Sequence, residues 1–283
     1  MTAQMQISAD LDPVSFRAIA DLAYRESGLT LVEEKSSMIR SRLRHRLRDL
    51  GLPDFSAYSA LLQSEQGKGE LRYLISALTT NVSHFFRESH HYDTMIGEFE
   101  KRLPDLRAGK PMRIWSAGCS NGQEPLSAAM RLIDHTPTAG SLDLRILATD
   151  IDSEVVQFAR RGLYPERLMG GVSETLLQKY FSREDLGESE PFFRALPSLT
   201  SLIRFNELNL LAPWPMTRRF DVIFCRNVVI YFDVETQRRL WPRLHAALAP
   251  DGVLFLGHSE RIADPGAYGF DCTGPTTYRP IAS

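Results

Sequence analysis

Residues 112–130, MRIWSAGCSNGQEPLSAAM, limit the fold more than any other part of this chain. Ile114 and Trp115 can end a buried strand, and Gly118-Cys119-Ser120-Asn121-Gly122 then imposes a tight turn of small residues. Pro125 suits the first turn of a helix, where its missing N–H leaves nothing unpaired, and Asn121 or Ser120 is expected to cap that helix. Ser127, Ala128 and Ala129 keep the helix slim enough to lie close to a sheet. Strand, glycine turn and helix in this order form a backbone cradle for an adenosine-type cofactor. The turn reads G-x-S-x-G, not the dinucleotide pattern G-x-G-x-x-G, and no Lys follows Gly122 as a phosphate loop requires. A cofactor without phosphates fits better. The same letters match a hydrolase nucleophile elbow; Asp150 and His258 could formally complete its triad, but the rest of the chain fits another chemistry.

From residue 113 onward strand and helix alternate. Strands are expected at 113–116, 144–150, 220–225, 253–257 and 276–280, and helices at 123–133, 154–161 and 235–248, with Ser153 capping the second. Phe220-Asp221-Val222-Ile223-Phe224-Cys225 is the near-continuous apolar run of a central strand. Such alternation means a doubly wound parallel sheet. Residues of about 165–206 break it and read as an inserted antiparallel β-subdomain, whose exposed edges could recruit a peptide by strand addition. A carboxylate at the tip of the second strand is where this fold grips ribose hydroxyls. Asp150 is best placed for that, with Asp152 a helix-start acid.

Ahead of the α/β domain, residues 1–78 form a helical domain, and residues 79–110 read as a linker and cofactor lid. Ile39, Leu43, Leu47 and Leu50 lie on one side of a helix whose remainder carries Arg40, Arg42, Arg44, Arg46 and Arg48. That is either a solvated basic face or a docking surface for an acidic protein, to which the Arg fork is well suited. In 71–88, LRYLISALTTNVSHFFRE, the hydrogen-bonding Thr80, Asn81 and Ser83 stand beside Phe85 and Phe86, the make-up of a ligand wall. His90 and His91 face different sides of a helix and form no metal site; no metal is expected.

The net charge of -2 over 283 residues argues against a general nucleic-acid binder. Cys119, Cys225 and Cys272 are odd in number and far apart, as in a cytoplasmic protein with reduced thiols. The opening letters, MTAQMQISADLDP, show no signal peptide, and no apolar run could insert in a bilayer.

TTNVSHFFRE, WSAGCSNGQEP, ATDID, FCRNVVIYFD and PDGVLFLGHSE, in that order, resemble the chemotaxis receptor glutamate O-methyltransferases, the CheR family. The resemblance spans nearly the whole chain. It implies a Rossmann-like class I methyltransferase domain at 111–283 with the small β-subdomain inserted, behind the helical N-terminal domain. It implies S-adenosylmethionine as cofactor, S-adenosylhomocysteine as product, and glutamates on the cytoplasmic helices of chemoreceptors as substrate. By the same resemblance Asn81, Ser83, Arg87, Gly118, Glu124, Asp150, Asn209, Leu210, Arg226 and Asn227 line the cofactor site, with Arg87 and Tyr231 nearest the transferred methyl. A monomer is expected. Where the family usually reads S-T-G-E-E-P, this chain has Ser120-Asn121-Gly122-Gln123-Glu124-Pro125, keeping Glu124 and losing one negative charge at Gln123.

Overall fold

The computed structural model describes residues 10–281, so most of the opening letters read above lie outside the described residues. The chain divides into two compact units: Met1–Thr80 with Tyr231–Asp233, and Asn81–Ile230 with Val234–Ser283.

The helical unit contains α1 (Pro13–Ser27), α2 (Ser36–Asp49), α3 (Phe55–Gln63) and α4 (Leu71–Leu78). Local chemistry sets their ends. Asp12 caps α1 by accepting from Val14 N and Ser15 N at 2.9 and 3.0 Å, Pro13 takes the first helical position, and Gly28 closes it at φ 74°. Asp54 caps α3 through Ala57 N. Ile39, Leu43 and Leu47, spaced four apart, are fully buried.

The five arginines of α2 separate into two stripes. Arg42 and Arg46 flank the buried side and are used inside the unit. Arg42 donates to the carbonyls of Leu78 and Thr79 at 3.0 and 2.8 Å, satisfying the open C-terminal end of α4. Arg46 forks onto Glu70 at 2.9 and 2.6 Å, and the Tyr58 hydroxyl donates to the same carboxylate at 3.0 Å. Arg44 and Arg48 are exposed, and Arg40 reaches Asp10 at 3.0 Å. An external role for this helix therefore falls on Arg40, Arg44 and Arg48, and the expectation is corrected for Arg42 and Arg46.

In the second unit the elements are α5 (His90–Arg107), β1 (Met112–Ala117), α6 (Gln123–His135), β2 (Leu144–Asp150), α7 (Ser153–Arg161), β3 (Leu163–Pro165), α8 (Glu174–Tyr180), β4 (Phe181–Glu184), β5 (Phe192–Ala195), α9 (Pro197–Thr200), β6 (Ile203–Glu207), β7 (Phe220–Cys225), α10 (Val234–Ala247), β8 (Leu248–Leu256), β9 (Phe270–Gly274) and β10 (Thr277–Pro280). The main sheet has the order β6-β2-β1-β7-β8-β10-β9. Strands β6 through β8 are parallel, and β10 runs antiparallel to both neighbours. The winding reverses between β1 and β7, and folds of this kind bind ligands at the carboxyl ends of the strands at such a switch point. This is a doubly wound, Rossmann-like architecture, with a helical N-terminal unit and a small antiparallel β-subdomain.

Three boundaries differ from the sequence reading. The segment expected as linker and lid belongs to the core of this unit: Phe85, Tyr92, Met95 and Phe99 on and before α5 join the main apolar cluster. The insertion is shorter than 165–206. Its three-stranded sheet, β3-β5-β4, ends at Ala195, and β6 pairs in parallel with β2 at the edge of the main sheet, burying Ile203 and Phe205 in alternation. Finally, α6 is not capped by Ser120 or Asn121. Its cap is Gly122 at φ 88°, and the cap of α7 is Asp152, which accepts from Glu154 N, not Ser153. The slim face of α6 is as expected: Ser127, Ala128 and Ala129 are buried against the sheet.

Candidate active site

The loop after β1 is shaped by close approach. Gly118 has φ 143°, and a Cβ there would stand 2.2 Å from Val228 Cγ2; at Gly122 (φ 88°) it would meet Ala159 and the Tyr164 hydroxyl at 2.9 Å. Neither position accepts a side chain. Ser120 between them also adopts a positive φ of 47°. Its N–H donates to Asp150 Oδ2 at 2.8 Å, which ties the turn to the tip of β2. Tyr164 of β3 donates to Asn121 O at 2.6 Å, so the base of the β-subdomain braces the same turn.

At the tip of β2, Asp150 accepts from Ser120 N through one oxygen and from Asp152 N at 3.0 Å through the other. Asn81 Nδ2 donates to Asp152 Oδ2 at 2.6 Å, and Ser120 Oγ to Asn81 O at 3.2 Å. These bonds bring the start of the 81–87 wall to the glycine turn and the tip of β2. Burial pushes the Asp150 carboxyl up to about 6, against the backbone N–H groups that favour its charged form. Ser83 is half-buried in the same wall, and Arg87 Nη1 lies 3.3 Å from Val82 O.

Arg226, at the end of β7, is the most heavily used side chain here. Its Nε donates to Glu88 Oε2 at 3.1 Å, its Nη1 to Glu124 Oε2 at 3.1 Å, and its Nη2 to the Arg87 carbonyl. Tyr92 and Phe224 carry their rings beside it at 5.8 and 5.9 Å. Only 2% of the side chain is exposed. The Arg226 guanidinium is thus committed within the protein, between Glu88, Glu124 and the Arg87 carbonyl. Glu124 also accepts from Ser116 Oγ at 2.7 Å. Burial raises the Glu124 carboxyl, with Arg226 opposing that. Glu88 behaves oppositely. Burial would raise it, but the N–H of His258 and the Arg226 guanidinium outweigh that and hold it at about 2.

Asn227 follows with φ 57°. Glu260 fixes this loop by accepting from Asn227 N at 2.7 Å, Gly257 N at 2.6 Å and Ile230 N at 3.1 Å. Asn209 accepts from Leu211 N at 2.8 Å, and the Leu210 carbonyl is taken by Arg243 and Trp214 at 2.6 and 3.1 Å. Tyr231 is half-buried and groups with the helical unit, its carbonyl accepting from Thr30 N at 3.0 Å. Sequence reasoning missed Glu88 and Glu260. Nothing in their neighbours marked them: Glu88 follows Arg87, and Glu260 follows Gly257-His258-Ser259.

Among the described residues no group of three His, Cys, Asp or Glu side chains could hold a metal ion, and no helix is long and apolar enough to cross a membrane. The hydrolase alternative finds no support: the turn's Ser120 hydroxyl donates to Asn81 O, and His258 Nδ1 is 2.8 Å from Glu88.

Residues 81–276 match the family described as CheR methyltransferase, SAM binding domain, and residues 15–79 match CheR methyltransferase, all-alpha domain. The probable chemotaxis protein methyltransferase of Rhizobium etli is 42% identical over 262 residues, covering 91% of this chain and 96% of that protein. The chemotaxis protein methyltransferase of Escherichia coli is 41% identical over 261 residues, covering 92% and 88%. Chemotaxis protein methyltransferase 2 of Pseudomonas aeruginosa is 38% identical over 268 residues, covering 94% and 92%.

Proposed function

Because the chain belongs to the CheR methyltransferase family, we infer that it methylates glutamate side chains on the cytoplasmic helices of chemoreceptors, forming glutamate methyl esters in sensory adaptation. It is an S-adenosylmethionine-dependent enzyme. The observation that supports the reading is the glycine turn after β1, tied through the Ser120 N–H to the buried Asp150 carboxylate at the carboxyl end of β2. No general base is required: a glutamate of pKa near ~4.3 is already ionised at neutral pH. S-adenosylmethionine, when bound, supplies a methyl group made electrophilic by its sulfonium. The chain's residues hold and align. Gly118 lets the turn after β1 pack against Val228, which sets the backbone path along which the cofactor is held. Asn81, Ser83, Glu124, Asp150, Asn209, Leu210 and Asn227 supply the remaining polar and apolar contacts. Arg87 orients the acceptor carboxylate through its planar fork, and Tyr231 supports it through its hydroxyl. Exclusion of water favours a step in which opposite charges cancel.

The test is transfer of tritiated methyl from the cofactor to receptor-containing membranes, with the label released as methanol by base. Label that is stable to base, on lysine or nucleic acid, would sink the reading. Methylation of receptor cytoplasmic helices implies a cytoplasmic protein, with the exposed stripe of α2 meeting an acidic receptor helix. Glu in place of both Arg44 and Arg48 is expected to weaken binding of a receptor cytoplasmic fragment by ~10-fold at low salt, and less at high salt. Calorimetry with S-adenosylhomocysteine should show cofactor affinity unchanged.

A pH dependence follows from Asp150. The ionised carboxylate can accept from ribose hydroxyls, and the protonated acid loses an acceptor. With its pKa near 6, S-adenosylhomocysteine affinity is expected to be full above about pH 7 and to fall as pH drops through 6. Between pH 7 and 5 the dissociation constant should rise ~10-fold, and Asp150→Asn should bind weakly with that rise removed. Calorimetry at the two pH values checks this.

A further inference from the structure

The turn that presents Arg87 is strained on both sides. Phe86 has φ 57° and Glu88 φ 53°, and neither is glycine. Left-handed backbone at ordinary residues persists only where surrounding contacts over-determine it. Here they do. Ser127 Oγ accepts the Phe86 N–H at 3.0 Å, and Arg226 donates to the Arg87 carbonyl. The Glu88 carboxylate makes the remaining ties. One oxygen accepts from Arg226 Nε at 3.1 Å, and the other from His258 N at 2.9 Å, with His258 Nδ1 2.8 Å away. Four chain segments are thereby joined around one side chain: the 85–88 turn, the end of β7, the loop after β8 and, through Arg226, Glu124 at the start of α6.

We propose that Glu88 is a positioning residue for methyl transfer, clamping the strained turn so that the Arg87 side chain is presented to the acceptor carboxylate, with Arg226 and His258 as its anchors. This rests on the role given to Arg87 under the proposed function. A charged carboxylate suits the task because it can accept from three donors at once. An amide of the same shape turns an N–H₂ toward one of them and leaves that donor opposed. The Glu88 carboxylate itself bonds Arg226 and His258 and makes no hydrogen bond to Asp150 or Glu124, so its loss should reach turnover before cofactor affinity.

The experiment compares the full-length chain with Glu88→Gln, Glu88→Asp, Arg87→Lys and the Arg87→Lys/Glu88→Gln double variant. Turnover and KM for a receptor fragment are measured, with S-adenosylhomocysteine affinity by calorimetry and thermal unfolding. Glu88→Gln is expected to lower kcat ~30–100-fold while changing the dissociation constant by less than ~3-fold. Glu88→Asp, which keeps the charge but withdraws it by one methylene, should show a smaller loss of the same kind and covers the case in which the Gln variant does not fold. If Glu88 acts through Arg87, the double variant will be no slower than Arg87→Lys within ~3-fold. Multiplying losses in the double variant would overturn the clamp. So would normal kcat in the folded variants, or kcat and cofactor affinity falling together in step with stability. Wild-type turnover in Arg87→Lys would instead remove the role given to Arg87, which the single Glu88 variants do not decide.

Discussion

Arg87→Ala is expected to cut methyl transfer by ~10³-fold or more, with the fold intact. The side chain is half-buried in the wall at 81–87, and its guanidinium bond within the described chain is a 3.3 Å contact to Val82 O, so little packing is lost with it. What goes is the group that orients an anionic oxygen for in-line attack. Transfer of labelled methyl to a receptor fragment, beside a thermal unfolding curve, separates the two effects. Near-normal turnover would take Arg87 out of the reaction. Lysine should recover a small part, because a point charge attracts a carboxylate without fixing its plane.

The second large effect lies at Arg226. Truncation to alanine strands the Glu88 and Glu124 carboxylates, whose side chains are 10% and 12% exposed, with no cation between them. Breaking a buried pair by removing one partner costs ~3–5 kcal/mol, enough to threaten the folded state at ordinary temperatures. Urea unfolding at pH 7 should show that loss. In the unaltered chain Glu88 sits at about 2, below the 4.5 of the free side chain, so its stabilising contribution is complete above about pH 4.5 and fades as pH falls toward 2. The gap between the two proteins should therefore narrow below pH 4.5, as protonation removes the stranded charge. A gap that stays constant with pH would show that the lost stability comes from packing on Tyr92 and Phe224.

Glu260 explains why the loop after β7 needs more than the strand before it. The N–H groups of Asn227 and Ile230 turn inward, and a single buried carboxylate accepts from both and from Gly257 N as well. Gly257 is required there, since a Cβ would lie 2.4 Å from Asn227 Nδ2 and 2.8 Å from Glu260 Oε2. The letters GHSE contain both residues, yet nothing in their spacing states that the acid folds back three residues to hold a loop 30 positions earlier.

Much of the architecture was legible because it is local. Period-two and period-3.6 apolar patterns, the helix-ending Gly28 and Gly51, and the glycine turn at 118–122 act over a few residues, and the elements they mark appear close to where they are expected; the caps Asp12 and Asp54 act as locally but escaped sequence reasoning. Asp150 was legible for the same reason: a strand end places its last side chain wherever the strand goes. The α2 arginines were legible as a basic helix, and their division into inner and outer stripes follows from the 100° step once the buried face is known.

What only the tertiary structure decided is the pairing of charges across distant segments. Arg226 meets Glu88 and Glu124 over sequence separations of 138 and 102 residues; strand order, not spacing, brings them together. The same holds for β6, whose short apolar alternation could serve an insertion or a sheet edge equally well until β2 offered it a parallel partner. Hydrophobic pattern and turn chemistry are written in neighbouring residues, so the chain itself determined its elements, its family and the tip that holds Asp150. Ion pairs, strained turns and buried acids depend on which groups lose water together, and that is settled only when the sheet closes around them.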